Sequence, residues 1–264
     1  MFKRLAVLGL WLACTALHAA PWTPPAQPDV DQILKQAREL SRPGGDPEQA
    51  AAMHRWYHQH ALAHAPSHGG VRLSFALSDW HALALRYPPA LADMQAARDR
   101  AAERLRAGGP NPREAMSDLA ALDQQLADPR VSAELMAWLD ANRPADARSF
   151  APLAMAAVVA SGQHALALRY LDQNALVRNS ERQLRGMTDS AERLPETQRP
   201  EFRQGVVSYL DRQAAPAVAA LAQAGRAQDA QQLLDRLQGV LGQDAQLHLC
   251  RDGLRGFAPP FRRY

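Results

Sequence analysis

Residues 221–230 read Leu-Ala-Gln-Ala-Gly-Arg-Ala-Gln-Asp-Ala, a stretch that indicates the fold class through one local pattern. Apolar residues with helical spacing precede Gly225, and Ala230 and Leu234 continue a second helical face after it. A glycine at this place ends a helix, because it adopts the backbone conformation of a helix C-terminus without steric cost. The stretch therefore predicts two helices joined by a tight turn, which is a helical hairpin.

The same start and stop signals recur along the chain. Asp46-Pro47-Glu48-Gln49 and Asn111-Pro112-Arg113-Glu114 each place a capping side chain and a proline at a helix start, and Asp128-Pro129 and Ser180 with Gln183 are looser versions. Glycines supply the stops. The predicted helices cover residues 29–41, 47–65, 71–86, 89–107, 112–127, 131–142, 145–161, 163–175, 180–193, 200–223, 227–241 and 244–253.

Composition agrees with a helical fold. Alanine, leucine, glutamine and arginine dominate, Ile33 is the sole isoleucine, and no segment alternates with the period of a strand. The connections between the predicted helices are short, which favours antiparallel neighbours. We therefore expect an all-α fold, in which antiparallel helical hairpins are stacked as an α-solenoid or a compact α-α superhelix.

Two segments resemble the tetratricopeptide-type repeat. Gly162 is followed by Ala167 and Leu171, and Gly225 is followed by Ala230, Leu234 and Leu237. The pattern is similar to the turn and second helix of that repeat, although the family's aromatic residue and closing proline are missing from both segments. The resemblance implies stacked hairpins that bind other proteins. It transfers no catalytic residues, because such repeats have no fixed catalytic set.

The N-terminus has the pattern of a secretory signal peptide. Lys3 and Arg4 precede an apolar run at residues 5–13, and small residues at 16–20 offer a cleavage site after Ala19. The run is too short to span a bilayer, and no later stretch predicts a transmembrane anchor. An alternative is a lipid anchor at Cys14, although Trp11 stands where a lipoprotein signal has leucine. We expect a periplasmic or secreted protein.

These signals divide the chain into four parts. They are a signal peptide at 1–19, a proline-rich linker at 20–28, a helical-repeat domain at 29–256 and a solvated or docked tail at 257–264. Loss of Lys3 and Arg4 with the leader lowers the formal net charge from +3 to +1, so the charge predicts no nucleic-acid partner. Cys250 would then be alone, and we interpret it as a buried apolar residue.

The histidines form the one unusual cluster. Helical spacing places His54 and His58 on one face, and His60 and His64 form a second pair four residues apart. Imidazole pairs at this spacing can ligate zinc or copper, so these four residues are the candidate metal ligands. No acidic residue lies between Ala50 and Ser78, and the cluster therefore lacks a nearby carboxylate ligand.

No motif predicts an enzyme or a cofactor. The chain has no phosphate-binding glycine loop, dinucleotide fingerprint or nucleophile elbow, and the carboxylates Asp118 and Asp123 are interpreted as part of an exposed charged helix face. The leading hypothesis is an exported, non-enzymatic helical-repeat protein that mediates protein–protein interaction in the cell envelope, binding a protein or peptide segment. Arginines within 178–193 are candidates for pairing with acidic partner groups.

Two alternatives remain open. The first is a metal-binding protein or metal-dependent enzyme that uses the cluster from His54 to His68. The second is a helical protein that acts on cell-wall glycans, which would need a buried glutamate beside aromatic residues in a cleft. The sequence does not identify the partner.

Overall fold

The computed structural model describes residues 22–243, 245–257 and 259–261. The predictions for the signal peptide and for Cys14 lie outside these residues. Within them the chain forms thirteen α-helices and no strand, which confirms the all-α fold. Residues 22–28 form no helix, and Trp22 packs against the first hairpin through its contact with Trp56.

The helices follow one another with short connections. They are α1 Val30–Leu40, α2 Pro47–His64, α3 Gly69–Arg72, α4 Phe75–Ala84, α5 Pro88–Ala107, α6 Pro112–Leu126, α7 Arg130–Asn142, α8 Pro144–Ala160, α9 His164–Tyr170, α10 Gln173–Ala191, α11 Arg199–Gln223, α12 Ala227–Leu241 and α13 His248–Leu254. Short 3-10 turns at Pro66–His68 and Glu196–Gln198 precede α3 and α11.

Most of the predicted helix starts lie within a few residues of the observed ones. The Asp46 carboxylate accepts hydrogen bonds from the Glu48 and Gln49 amides, so the cap predicted for α2 is present. The helix predicted at 71–86 is instead divided between α3 and α4. The break lies at Ser74, whose hydroxyl bonds back to the Gly70 carbonyl oxygen at 2.6 Å.

The prediction that Ser180 begins a helix is wrong. Asp172 accepts a hydrogen bond from the Ala175 amide at 2.8 Å and caps α10 eight residues earlier. Ser180 lies buried inside α10, where its hydroxyl donates to the Leu176 carbonyl oxygen. The physical reason is that Asp172 follows α9 after a single residue and offers a charged acceptor to the amides of a new helix before the chain reaches Ser180.

Neighbouring helices along the chain pack against each other. The closest pairs include α1 with α2, α5 with α6, and α7 with α8, while the 25-residue α11 contacts α8, α9, α12 and α13. Small side chains let these helices approach closely. A Cβ atom on Gly253 of α13 would lie only 3.2 Å from the Ala215 carbonyl oxygen of α11. Each hairpin therefore buries its apolar face against its neighbours.

Both glycine turns that carry the repeat-like pattern have left-handed backbone. The φ angle is 73° at Gly162 and 76° at Gly225, a region that side chains rarely adopt. Ala167 and Ala230, which follow these turns, are buried. The local hairpin geometry expected from the sequence is present at both places.

Several helix ends are capped by a side chain from a distant helix. In the clearest case the buried Asp211 of α11 accepts hydrogen bonds from the backbone amides of Leu249 and Cys250, at 2.8 and 2.9 Å. These amides belong to the first turn of α13 and have no partner within that helix. A negative charge there also interacts favourably with the helix dipole. Asp211 thus fixes α13 on α11.

We expect Asp211→Ala to lower the free energy of unfolding by about 2 kcal/mol, because two buried amides lose their acceptor. Urea denaturation of the variant and of wild type measures this difference. Glu201→Ala provides a control on the exposed part of the same helix and is expected to change stability by less than about 0.5 kcal/mol. Equal losses in the two variants would contradict a capping role for Asp211.

Candidate functional site

The structure divides the four candidate metal ligands of α2 into a buried pair and an exposed pair. His54 and His58 lie inside the protein. His54 Nε2 is 3.2 Å from the Ser41 hydroxyl, and the His58 ring packs beside Trp80 with 5.7 Å between ring centroids. Burial lowers the pKa of each histidine to about 4, so both imidazoles are neutral at pH 7.

His60 and His64 lie on the outer surface of the same helix. Both rings pack beside Trp56, with centroid distances of 5.4 and 5.6 Å, and Trp22 contacts Trp56 edge-on at 6.1 Å. Within residues 22–243, 245–257 and 259–261, no three His, Cys, Asp or Glu side chains form a group that could hold a metal ion. The metal site at His54, His58, His60 and His64 stays a prediction.

The buried histidines make the stability of the protein depend on pH. In the unfolded chain a histidine takes up a proton near pH 6.5, whereas His54 and His58 in the fold resist protonation until about pH 4. The unfolded state therefore binds more protons between these values, and stability falls as the pH is lowered through this window. Asp123 acts in the opposite direction, because burial raises its pKa to about 6.

We expect the free energy of unfolding to fall by about 1–3 kcal/mol between pH 7 and pH 4.5, since two histidines oppose one aspartate. Urea denaturation across this range measures the slope. His58→Gln is expected to reduce the loss, and His60→Gln, on the exposed face of the same helix, is expected to leave it unchanged. Equal pH profiles for these two variants would show that burial of His58 does not cause the effect.

A buried network of charges joins four helices. Arg72 of α3 and Asp118 of α6 form an ion pair at 2.6 Å, and each is less than 5 % exposed. Arg72 also donates to the His58 carbonyl oxygen of α2, and Arg104 of α5 lies 3.2 Å from the second Asp118 oxygen. The network orients helices against one another and lies within their packing, not in a cleft.

The interpretation of Asp118 and Asp123 as an exposed helix face is wrong. Asp123 is completely buried and accepts a hydrogen bond from the Ser132 amide, in the first turn of α7, at 2.8 Å. Arg98 lies 3.8 Å from its other oxygen. Both carboxylates have partners on other helices, and pairing with arginine and with helix amides is the reason that burial is tolerated. They stabilise the fold.

A cleft lies among α6, α8, α11 and the C-terminal tail. It contains about 400 Å³ of empty space, part of which is open to solvent. Its lining residues are Gln124, Ala156, Arg212, Pro216, Pro259, Pro260 and Phe261. Three of these seven belong to the tail, so residues 259–261, which form no helix, make one wall of the cleft. Whether the tail at 257–264 is solvated or docked stays a prediction.

The tail begins after the end of α13 and reaches the wall of the cleft at residues 259–261. Gln223 of α11 donates a hydrogen bond to the Gly256 carbonyl oxygen at 3.1 Å, which holds the start of the tail against the helix. Phe257 then points away, with 64 % of its surface exposed, while Pro259 and Phe261 are half-buried. No sequence pattern predicted this cleft. The Pro-Pro-Phe sequence at 259–261 is the one signal that could have indicated it.

A second depression and a charged helix face lie elsewhere on the surface. A small apolar depression of about 170 Å³ lies among α7, α8 and α9 and is lined by Met136, Met155 and Tyr170, among others. Of the arginines predicted to meet an acidic partner, Arg193 lies after α10 and the others lie on it. On this helix Arg185 pairs with Glu181, and Arg182 bonds to Asn179. Both contacts lie within α10, so the Arg185 charge is partly neutralised by a residue of the same helix.

Comparison with known proteins finds no matching family model, no similar curated protein and no matching solved structure. In the part of the chain that the structure describes, no helix is both long enough and apolar enough to cross a membrane.

Proposed function

We propose that this protein is an exported, non-enzymatic helical-hairpin protein that binds a segment of another protein in the cell envelope. The observation that carries the proposal is the cleft among α6, α8 and α11, which contains about 400 Å³ of empty space and is lined on one side by Pro259, Pro260 and Phe261. A cleft between helices and a non-helical segment offers a partly enclosed surface to a segment of another protein. The leader-like N-terminus supports export.

The composition of the cleft supports recognition of a peptide. Ala156 and Pro216 contribute apolar carbon to the cleft, and the exposed Arg212 contributes a positive charge. A mixture of apolar contact and a few polar groups is typical of sites that bind extended segments. The repeat-like turns at Gly162 and Gly225 support a likeness to tetratricopeptide-type proteins, which use stacked hairpins in the same way.

Site-specific photo-crosslinking in cells that produce the protein tests the proposal. A photoreactive amino acid at position 212 lines the cleft, and one at the exposed position 35 lies on α1, whose main packing partner is α2. We expect a discrete crosslinked protein from position 212 and none from position 35. Folding of both proteins is checked by thermal unfolding. Absence of a crosslink at 212, or the same crosslink at both positions, would contradict the proposal.

A further inference from the structure

The outer face of α2 carries two histidines whose ring nitrogens are free to bind a ligand. His60 and His64 are both exposed, and among the residues that the structure describes neither makes a hydrogen bond or an ion pair. They are four residues apart, so one turn of helix places both imidazoles on the same side. We propose that His60 and His64 together bind one divalent transition-metal ion of the class that prefers imidazole nitrogen, such as Cu²⁺.

Trp56, one turn earlier on the same helix, holds the two imidazoles in place. The centroid of its ring lies 5.4 Å from that of His60 and 5.6 Å from that of His64, and the planes of Trp56 and His64 are only 24° apart. Trp56 is itself supported, since it packs against the core around Ile33 and Met53. Two ligands that are already oriented lose less conformational freedom on binding an ion than two mobile side chains do.

The other histidine pair of α2 shows why the exposed pair is the one that suits a metal ion. His54 and His58 have the same four-residue spacing, but they are only 2 % and 7 % exposed. His54 Nε2 also lies 3.2 Å from the Ser41 hydroxyl. An ion held by two protein ligands keeps water at its other positions and therefore needs an open side. Of these four histidines, His60 and His64 combine the spacing with access to solvent.

The surroundings of the pair select the class of metal. The one acidic residue of α2 is Glu48, in the first turn at the opposite end of the helix. In the part of the chain that the structure describes, no further His, Cys, Asp or Glu joins the pair to form a group of three. Nitrogen ligands without a carboxylate favour Cu²⁺, Ni²⁺ and Zn²⁺ over Mg²⁺ and Ca²⁺, and Cu²⁺ binds most tightly. The remaining coordination positions stay accessible to water or to a donor from another molecule.

Titration of the full-length chain with CuCl₂ at pH 7, followed by tryptophan fluorescence, tests the inference. Cu²⁺ is paramagnetic and quenches a neighbouring indole, so we expect a saturable loss of Trp56 emission. His60→Gln and His64→Gln are each expected to weaken Cu²⁺ binding at least about tenfold, because the second imidazole no longer acts within the same molecule. His248→Gln is the matched control, since it removes an exposed histidine of α13, and it is expected to bind Cu²⁺ as wild type does.

Two further variants locate the ion. The double variant Gln59→His with His60→Gln keeps the number of histidines but places the pair five residues apart, where the two rings point in different directions. It is expected to bind Cu²⁺ as weakly as His60→Gln does. Trp56→Phe keeps an aromatic ring beside the imidazoles and is expected to lose most of the quenching, while equilibrium dialysis shows Cu²⁺ bound as in wild type. Thermal unfolding confirms that each variant is folded before the titration.

Three results would overturn the inference. Cu²⁺ binding that is equally tight in wild type, His60→Gln and His64→Gln would show an adventitious ion elsewhere on the chain. Wild-type affinity in the Gln59→His, His60→Gln variant would show that the four-residue spacing does not matter. Quenching that persists in Trp56→Phe would place the ion beside another tryptophan. The inference concerns α2 and does not rest on the function proposed for the cleft, so the crosslinking experiment and the titration succeed or fail separately.

Discussion

Asp118→Ala is expected to lower the free energy of unfolding by about 3–5 kcal/mol, the range typical of a buried ion pair that loses one partner. The reason is the charge that remains. Arg72 is 2 % exposed, and without Asp118 its guanidinium would lie in the core with the His58 carbonyl oxygen at 3.1 Å as its remaining acceptor. Urea denaturation at pH 7 measures the difference from wild type.

Two controls test whether the loss of stability comes from leaving a buried charge unpaired or simply from removing an ion pair. The double variant Arg72→Met with Asp118→Leu removes both charges and is expected to recover most of the lost stability. Glu181→Ala breaks the exposed pair with Arg185 and is expected to cost less than about 0.5 kcal/mol. A double variant that is as unstable as Asp118→Ala would contradict this explanation, because no unpaired charge would remain to account for the loss.

Trp80→Ala is expected to destabilise the protein by about 3–5 kcal/mol. The indole is 1 % exposed and packs in the core formed by α2, α4, α5 and α6, together with Leu77, Leu83 and Met94. Its removal leaves a cavity that helices joined by short connections cannot close completely. Thermal or urea unfolding of the variant measures the loss.

Phe75→Ala is the matched control for this prediction. Phe75 is an aromatic residue of the same helix, but 69 % of its surface is exposed, so its loss is expected to cost less than about 1 kcal/mol. Trp80→Phe keeps most of the volume and removes an indole N–H that has no hydrogen-bond partner among the described residues. It is expected to be far milder than Trp80→Ala. Equal costs for Phe75→Ala and Trp80→Ala would contradict the placement of this core.

The local features of the fold could be predicted from the sequence because they depend on neighbouring residues. The Asp46 cap and the turn at Gly225 need only a carboxylate, a proline or a glycine at the right spacing. The division between α9 and α10 was predicted several residues too late, between 175 and 180, because two possible caps, Asp172 and Ser180, lie eight residues apart. Spacing alone does not rank them, and the observed fold uses the charged one.

The placement of polar groups could not be predicted in the same way. Asp118 looks like a surface residue until its partner Arg72, 46 positions away, is brought beside it by packing. Which histidines are buried could not be predicted from the sequence either. Helical phase separates His54 from His60, but which face lies inward depends on the neighbouring helices. The cleft depends on tertiary structure to a greater degree still, since it joins α6, α8, α11 and the tail.

One measurement tests the central claim, that a segment of another protein binds among α6, α8 and α11. The protein that crosslinks from position 212 is identified by mass spectrometry, purified and titrated into the ¹⁵N-labelled full-length chain, which is followed by NMR. We expect the amide shifts to change around Gln124, Ala156 and Arg212, three of the residues that line the cleft. Changes confined to α1 and α2, or no changes at a saturating concentration of the partner, would contradict it.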